Sequence, residues 1–184
     1  MCIRDSYKTV DGSMASEVSF ENVKLNSSSL IGEEGNAHAL IELVADETIA
    51  ALCAEAIGAM SVLNETTVEY CKTRKQFGQP IGKFQVLQHR MVDMFMQYEQ
   101  SVSMTYMVNL KLEEEDVERS KAASGAKVQI CNAAKFIGQS AVQLHGGMGM
   151  TDELNVGHYF KRLSMIETQL GNADHHLRKY SLAS

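Results

Sequence analysis

Between Asn36 and Thr73 apolar residues return at steps of three and four: Leu40, Ile41, Leu43, Val44, Leu52, Ile57, Met60, Leu63 and Val68. That period is one face of an α-helix. It predicts a single helix about 55 Å long at 1.5 Å per residue. Gly78-Gln79-Pro80-Ile81-Gly82 ends it, since proline and glycine punctuate helices. A second helix is predicted from about Phe84 to Leu112, with Leu87, Met91, Met94, Phe95, Tyr98, Val102, Met107 and Leu110 on its apolar face. The acidic run Glu113-Glu114-Glu115-Asp116 suits a solvated turn and the negatively charged start of another helix. That third helix runs from about Val117 to Leu144 and turns Ala122, Ala126, Ile130, Ala133, Ala134, Ile137 and Val142 inward. His145-Gly146-Gly147-Met148-Gly149 stops it. Two shorter helices are expected near Asp152–Ser164 and Glu167–Ser181. Short glycine-rich connections between long helices imply an antiparallel helical bundle, so the fold class is mainly α.

The chain before Asn36 follows another rule. Glu17 to Leu25 alternates loosely and is β-branched in character, which predicts one strand. A lone strand leaves its edges unsatisfied, so the chain is expected to begin inside a sheet whose other strands lie upstream. Met1 to Ser6 continues no pattern and reads as a sequence-assembly or translation artefact. Asn26-Ser27-Ser28-Ser29 and Gly32-Glu33-Glu34-Gly35 are loop signals. Residues 1–35 therefore form a β remnant and linker, and residues 36–184 the helical domain.

Composition narrows the function classes. The 184 residues suffice for one domain with a real core. A net charge of -6 argues against a nucleic-acid partner, which calls for a basic stripe. No apolar run approaches the ~18 residues of a membrane span, and the N-terminus lacks the apolar core of a signal peptide. A soluble protein of the bacterial cytoplasm is the expectation. Cys2, Cys53, Cys71 and Cys131 do not pair at metal or redox spacing, so no metal site is expected and the thiols read as small buried side chains. The eleven methionines fall mostly on the apolar stripes and read as core filler.

Two segments carry candidate chemistry. Tyr70-Cys71-Lys72-Thr73-Arg74-Lys75-Gln76-Phe77-Gly78-Gln79-Pro80-Ile81, followed by Gln85, closes a long helix with an arginine, a glutamine and an aromatic. Arg74 can fork onto a phosphate or pyrophosphate. Gln76 and Gln85 offer both donors and acceptors to a heterocycle edge, and Phe77 can pack on a planar ring. Taken alone, an arginine at a helix C-terminus is explained by the helix dipole. The second segment is Gln143-Leu144-His145-Gly146-Gly147-Met148-Gly149-Met150-Thr151. Paired glycines let a ligand or backbone approach closely, and equally they are a plain helix stop. His145 has no second ligand at metal spacing and reads as structural or solvent-exposed.

In order, spacing and helical context the two segments together resemble the C-terminal part of the acyl-CoA dehydrogenase family. The strand Glu17–Leu25 and the loop Leu30 to Gly35 resemble that family's passage out of its middle β-domain. The resemblance covers about Val18 to the C-terminus. It implies the tail of a middle β-domain followed by the family's C-terminal helical bundle, without most of the N-terminal region. It also implies oxidation of an acyl-CoA thioester between its α and β carbons with tightly bound FAD, a carboxylate taking the α-proton while a hydride passes from the β-carbon to flavin N5. Carried over by motif, Arg74 would meet the FAD pyrophosphate. Gln76, Phe77 and Gln85 would frame the flavin nucleotide, and Gln143, Gly146 and Gly147 would meet its adenosine end. These contacts reach a neighbouring subunit's FAD, so a homo- or hetero-oligomer is implied. An electron-transferring flavoprotein is the implied electron acceptor.

The catalytic base departs from the family pattern. Most members place a glutamate directly before a glycine near the start of the last helix, where this chain reads Thr168-Gln169-Leu170-Gly171-Asn172-Ala173-Asp174. Leu170 cannot accept a proton. A minority place the base on the first long helix, where this chain has Thr48. Neighbouring Glu47 is rotated by about 100° from that position. Glu167, one turn before Leu170, is the other weak candidate, although a first-turn glutamate is also what the helix dipole favours. With Tyr159-Phe160-Lys161-Arg162-Leu163 and Gly171-Asn172-Ala173-Asp174-His175-His176-Leu177, the pattern resembles one branch, the small subunit of pimeloyl-CoA dehydrogenase. In such two-subunit enzymes the partner can supply the base. His175 and His176 point about 100° apart on a helix and read as surface or interface residues. The alternative from another class is a helical assembly module that binds no flavin.

Overall fold

The computed structural model describes residues 2–183, with side chains from residue 4 onward. Strands β1 (Cys2–Lys8) and β2 (Met14–Phe20) form an antiparallel hairpin, Cys2 opposite Phe20 and Lys8 opposite Met14. After a short 3-10 turn at Ser27–Ser29 come α1 (Ala37–Thr73), the two-residue strands β3 (Lys75–Gln76) and β4 (Gln79–Pro80), and a 3-10 turn at Ile81–Lys83. Helices α2 (Gln85–Leu110) and α3 (Asp116–His145), a 3-10 segment Gly146–Met150, α4 (Val156–Thr168) and α5 (Ala173–Leu182) complete the chain.

The three long helices lie where the apolar period puts them, while three other expectations need correcting. The predicted strand sits three residues earlier than Glu17 and ends at Phe20, and its partner within the described residues is β1. The last two helices begin later than their sequence limits. Glu167 thus falls in the last turn of α4, not the first turn of the final helix, so a favourable helix dipole does not explain it. The predicted inward residues Leu40, Ile41 and Val44 on α1, and Phe95 and Leu110 on α2, are exposed. Period fixes which residues share a face; it does not say that something covers that face.

Helix α3 is the central element and packs against α1, α2, α4 and α5. Its buried residues Ala123, Ala126, Ala133, Ala134, Gly138 and Ala141 are small, which lets neighbouring helices approach closely. Larger side chains fill the spaces between the helices: Ile130 and Ile137 of α3 itself, Ile49, Met60 and Leu63 of α1, Met94 of α2, and Leu163 and Ile166 of α4. Asp46 of α1 meets Arg119 of α3 at one end of the bundle, and Tyr70 meets His145 at the other, so α1 and α3 run parallel. Ile166 lies beside Lys127 and Phe160 beside Gly138, so α4 runs antiparallel to α3. Among the methionines of the described residues only Met60 and Met94 are fully buried; Met14, Met96, Met148 and Met150 are exposed, so core filling accounts for part of them. Cys53, Cys71 and Cys131 are buried and free, and burial pushes the Cys53 thiol up to about 12.

Arg162 ties the β1–β2 hairpin to the bundle. Its guanidinium donates to Asp11 Oδ2 at 2.9 Å in the hairpin turn and to both carboxylate oxygens of Glu55 on α1, at 2.5 and 2.7 Å. Asp11 also accepts from Thr9 Oγ1 and from the Ser13 backbone at 3.1 Å. The Thr9 hydroxyl first, with Arg162 and Ser13 behind it, holds the Asp11 carboxyl well below the usual carboxylate range. Arg162 similarly holds Glu55 below its ordinary value. Both folded values are depressed, so this clamp contributes fully above the ordinary carboxylate pKa of about 4. It is lost as pH falls through the folded values. Arg162→Leu should raise amide exchange across the hairpin roughly tenfold, the scale expected from losing charge-assisted bonds at a partly exposed site, while α3 keeps its protection. Hydrogen exchange read by mass spectrometry checks this.

Candidate functional site

At one end of the bundle, α1 stops at Arg74, whose extended backbone (φ -68, ψ 125) turns the chain out of the helix. Its N–H still donates to Tyr70 O at 2.8 Å, and its carbonyl accepts from Ile81 N at 2.8 Å. Between these anchors β3 and β4 pair Gln76 with Gln79. The two residues joining them, Phe77 (φ 53) and Gly78 (φ 79), are both left-handed, the conformation a two-residue hairpin turn of type I′ demands. Glycine adopts it freely; Phe77 does so at a steric cost. The result is an aromatic ring 90% exposed at the hairpin tip, edge-on to Phe84 with centroids 6.1 Å apart. Arg74, Gln76 and Gln85, the first residue of α2, are exposed beside it. Among the described residues no carboxylate lies within ion-pair distance of Arg74, whereas Arg119 and Arg162 are both paired.

The second motif reaches the same end. Tyr70, on the last turn of α1, stacks on His145 with ring centroids 4.3 Å apart. His145 is buried and hydrogen-bonded through Nδ1 to Ala141 O at 2.8 Å, so it is structural. Gln143, Gly146 and Gly147 are exposed just beyond it. A Cβ at Gly146 or Gly147 would meet nothing within 4 Å, so both present open backbone to the outside. Gly149 differs: a Cβ there would lie 2.8 Å from Val142 O and 3.0 Å from Val142 Cα. Gly149→Ala should therefore destabilise the protein by about 1–3 kcal/mol through overpacking. Gly147→Ala should leave stability within about 0.5 kcal/mol and act on ligand binding alone. Urea unfolding of the two variants side by side makes the comparison.

A guanidinium with no carboxylate partner among the described residues, a projecting aromatic ring, three exposed amides and open glycine backbone at one end of the bundle suit a dinucleotide cofactor. The guanidinium supplies the charge-assisted bonds that a pyrophosphate accepts, and the bare glycines give the close approach that a flat nucleoside requires.

The base-position residues lie elsewhere. Leu170 occupies the turn between α4 and α5, is 45% exposed and is left-handed (φ 56). Thr48 is exposed on α1 and donates to Val44 O at 2.6 Å. Glu47 is exposed and Glu167 half-buried. His175 is exposed, but His176 is 1% exposed, which corrects its reading as a surface residue: Nδ1 is 3.3 Å from Ser124 Oγ and Nε2 2.9 Å from Leu170 O. Sequence reasoning also missed Lys127, wholly buried and donating to Ile166 O at the end of α4. The available signal was Ser124, Lys127 and Cys131 at helical spacing within an alanine-rich face.

Comparison with known proteins identifies the family and the fold. Residues 40–180 match the family model described as acyl-CoA dehydrogenase, C-terminal domain. The L-prolyl-[peptidyl-carrier protein] dehydrogenase of a Serratia strain is 32% identical over 169 residues, 91% of this chain and 43% of its own length. A solved structure of PigA with FAD and proline superposes with a TM-score of 0.90 at 26% identity, covering 98% of this chain and 48% of that one. The ChsE4–ChsE5 complex of Mycobacterium tuberculosis shares the fold, with a TM-score of 0.89 at 20% identity over 98% of this chain and 48% of the other. The chain spans less than half the length of these relatives. Matched along most of its length by that family model, the chain belongs to the acyl-CoA dehydrogenase family and comprises its C-terminal helical domain.

Proposed function

We propose that this chain is the C-terminal part of an FAD-dependent acyl-CoA dehydrogenase subunit that forms an α,β double bond in an acyl-CoA thioester. In this reading it is the base-lacking small subunit of a heteromer, of the pimeloyl-CoA dehydrogenase kind, acting on a bulky or dicarboxylic thioester in the cytoplasm and passing electrons to an electron-transferring flavoprotein. The bound FAD supplies the hydride acceptor. Arg74 holds its pyrophosphate, Gln76, Phe77 and Gln85 frame the nucleotide, and Gln143, Gly146 and Gly147 receive the adenosine end.

The observation that carries the reading is the separation of two features on one chain. The cofactor-side residues cluster where α1 and α3 end, beside the Tyr70–His145 contact. Leu170 sits at a turn held against the segment of α3 from Ser124 to Lys127. From Lys127 to His145 is about 27 Å along the helix, farther than a flavin ring stands from its own pyrophosphate. Arg74 and residue 170 of one chain therefore serve different flavins, which supports an assembly in which each chain completes a neighbour's site. The ChsE4–ChsE5 pairing is a heteromeric precedent within the same fold.

The test is to purify the full-length subunit alone and again co-expressed with its partner, recording oligomer size and flavin absorbance together. Flavin retained only in the mixed complex is the expected result. Stoichiometric flavin in a self-assembled oligomer would replace the heteromer with a homomer and turn attention to Glu167 and Glu47. Absence of flavin from both preparations would favour an assembly module.

A further inference from the structure

Three side chains of α3 face the end of α4 and the turn after it. Ser124, Lys127 and Cys131 stand at spacings of three and four, on one side of the helix. Lys127 Nζ donates to Ile166 O, and Cys131 Sγ lies 3.6 Å from Glu167 O, so two carbonyls that α4 leaves without an intrahelical donor find one on α3. Ser124 acts through His176. The imidazole lies between Ser124 Oγ at 3.3 Å and Leu170 O at 2.9 Å, and a carbonyl can only accept. Nε2 therefore carries the proton and donates to Leu170, and the Ser124 hydroxyl donates to Nδ1. Burial, with His175, Lys127 and Lys179 nearby, pushes the imidazole below its ordinary range and keeps it neutral, in keeping with that single tautomer.

The bonded turn is a strained one. Leu170 is left-handed at φ 56, and Gly171 follows at φ 102, a conformation that disfavours a side chain. A Cβ on Gly171 would come within 2.5 Å of His175 Cδ2 and 3.1 Å of His176 Nε2, so the turn is closed against the ring. Asn172 then caps α5, its side chain accepting from His175 N at 3.0 Å. A left-handed non-glycine residue persists where its surroundings over-determine it. Here the surroundings are these bonds.

We propose that Ser124, Lys127 and His176 form a positioning platform that fixes the α4–α5 turn, so that residue 170 is presented in one defined direction even though it is a leucine. The inference rests on the reading of position 170 given above and deepens it: the chain has the scaffold for a base without the base. A carboxylate introduced at 170 would inherit the presented position, from which it could accept the α-proton of an acyl-CoA while a bound flavin would supply the hydride acceptor. None of the platform residues touches substrate; they act through the turn.

The test uses the full-length subunit in its complex. The first measurement needs no substrate: amide exchange at residues 169–172 in wild type, His176→Gln and His176→Leu. Glutamine keeps a donor for Leu170 O, and leucine removes it. The expected result is exchange faster by roughly tenfold or more in His176→Leu and little changed in His176→Gln. Equal protection in wild type and His176→Leu overturns the proposal. The second measurement places Leu170→Glu in a complex whose partner has lost its own base, with heptanedioyl-CoA as probe. Turnover should rise by roughly 10²- to 10⁴-fold over the leucine form, the range of a positioned general base. Adding His176→Leu should lower kcat at least about tenfold with KM and flavin content unchanged, and adding His176→Gln should largely spare it. A loaded complex that stays inactive with Leu170→Glu, or a kcat indifferent to His176→Leu, overturns the presentation of residue 170. Turnover that survives deletion of the partner's base refutes the heteromer reading instead, and the exchange measurement then decides the platform by itself.

Discussion

Arg119→Met should destabilise the protein by about 3–5 kcal/mol, the range for removing one member of a buried ion pair. Asp46 is 0% exposed, with Oδ2 3.4 Å from Arg119 Nε and Oδ1 3.6 Å from Lys179 Nζ. Burial pushes the Asp46 carboxyl above its ordinary value despite the two cations beside it. Arg119 is committed as well, its Nη2 bonded to Asp116 at 2.7 Å, and Lys179 is shared with Glu42 at 2.5 Å. Methionine fills the volume of the arginine stem, so packing is largely kept and the change isolates the charge. Asp46 is then left with Lys179 alone, and the burial that already outweighs its partners meets less opposition. At 2–4 °C per kcal/mol for a chain of this size, Tm should fall by roughly 6–20 °C.

The same pair gives a pH signature with a definite sign. A carboxyl whose folded pKa is raised binds more protons folded than unfolded between its ordinary value and the raised one, so stability falls as pH rises through that window. Arg119→Met raises the folded value further and widens the window upward. The deficit of the variant should therefore shrink as pH is lowered from 7 toward 4. A double replacement, Asp46→Leu with Arg119→Met, should recover most of the loss, because removing both charges removes the burial penalty with them. Urea unfolding at several pH values measures all three outcomes. A single variant as stable as wild type at pH 7 would show that the pair is solvated and not buried.

That cluster also marks where sequence reading stops. The three long helices are legible because an apolar residue every three or four positions has one geometric meaning, and Gly78 to Gly82 and Gly146 to Gly149 interrupt helices wherever they occur. Position along a helix is less legible than its existence: Glu167 moved from a predicted helix start to the end of α4, because Asn172, and no residue near Glu167, supplies the cap for α5. Asp46, Arg119 and His176 cannot be read as buried from their own neighbourhoods, since each stands among residues of ordinary helical composition, and Lys127 is hinted at only by the alanine-rich face of α3 around it. Their burial comes from pairing between elements far apart in the chain. Conversely, Leu40, Ile41, Val44, Phe95 and Leu110 have core chemistry and yet are exposed. For the candidate site, residue type and order were legible at Arg74, Phe77 and Gly146. The left-handed turn that pushes the Phe77 ring outward, and the contact of Tyr70 with His145 that joins the two motifs, arise only in the folded chain.

Arg74→Ala in the full-length complex should weaken flavin binding by about 10- to 150-fold, the equivalent of roughly 1.5–3 kcal/mol for a charge-assisted contact. Neither Arg74 nor Phe77 is needed for the fold. Arg74 has no carboxylate partner among the described residues, and its backbone bonds to Tyr70 and Ile81 survive loss of the side chain. Phe77 is 90% exposed, so Phe77→Ala uncovers no core and should change stability by less than about 0.5 kcal/mol. If its ring packs on the nucleotide, its removal should weaken flavin binding by about three- to tenfold, in line with the roughly 0.5–1.5 kcal/mol of an aromatic contact. Together the two variants should leave the purified complex visibly depleted of flavin at micromolar concentration while its helical content and urea midpoint match wild type in the flavin-free state. Comparing apoproteins matters, because a bound cofactor stabilises the fold in proportion to its saturation. Flavin absorbance per subunit and the flavin-free unfolding midpoint are the two readings. Loss of the first with the second unchanged assigns the hairpin tip to the cofactor. Full flavin content in the double variant would remove Arg74 and Phe77 from the site and leave the projecting ring as a contact for a neighbouring subunit.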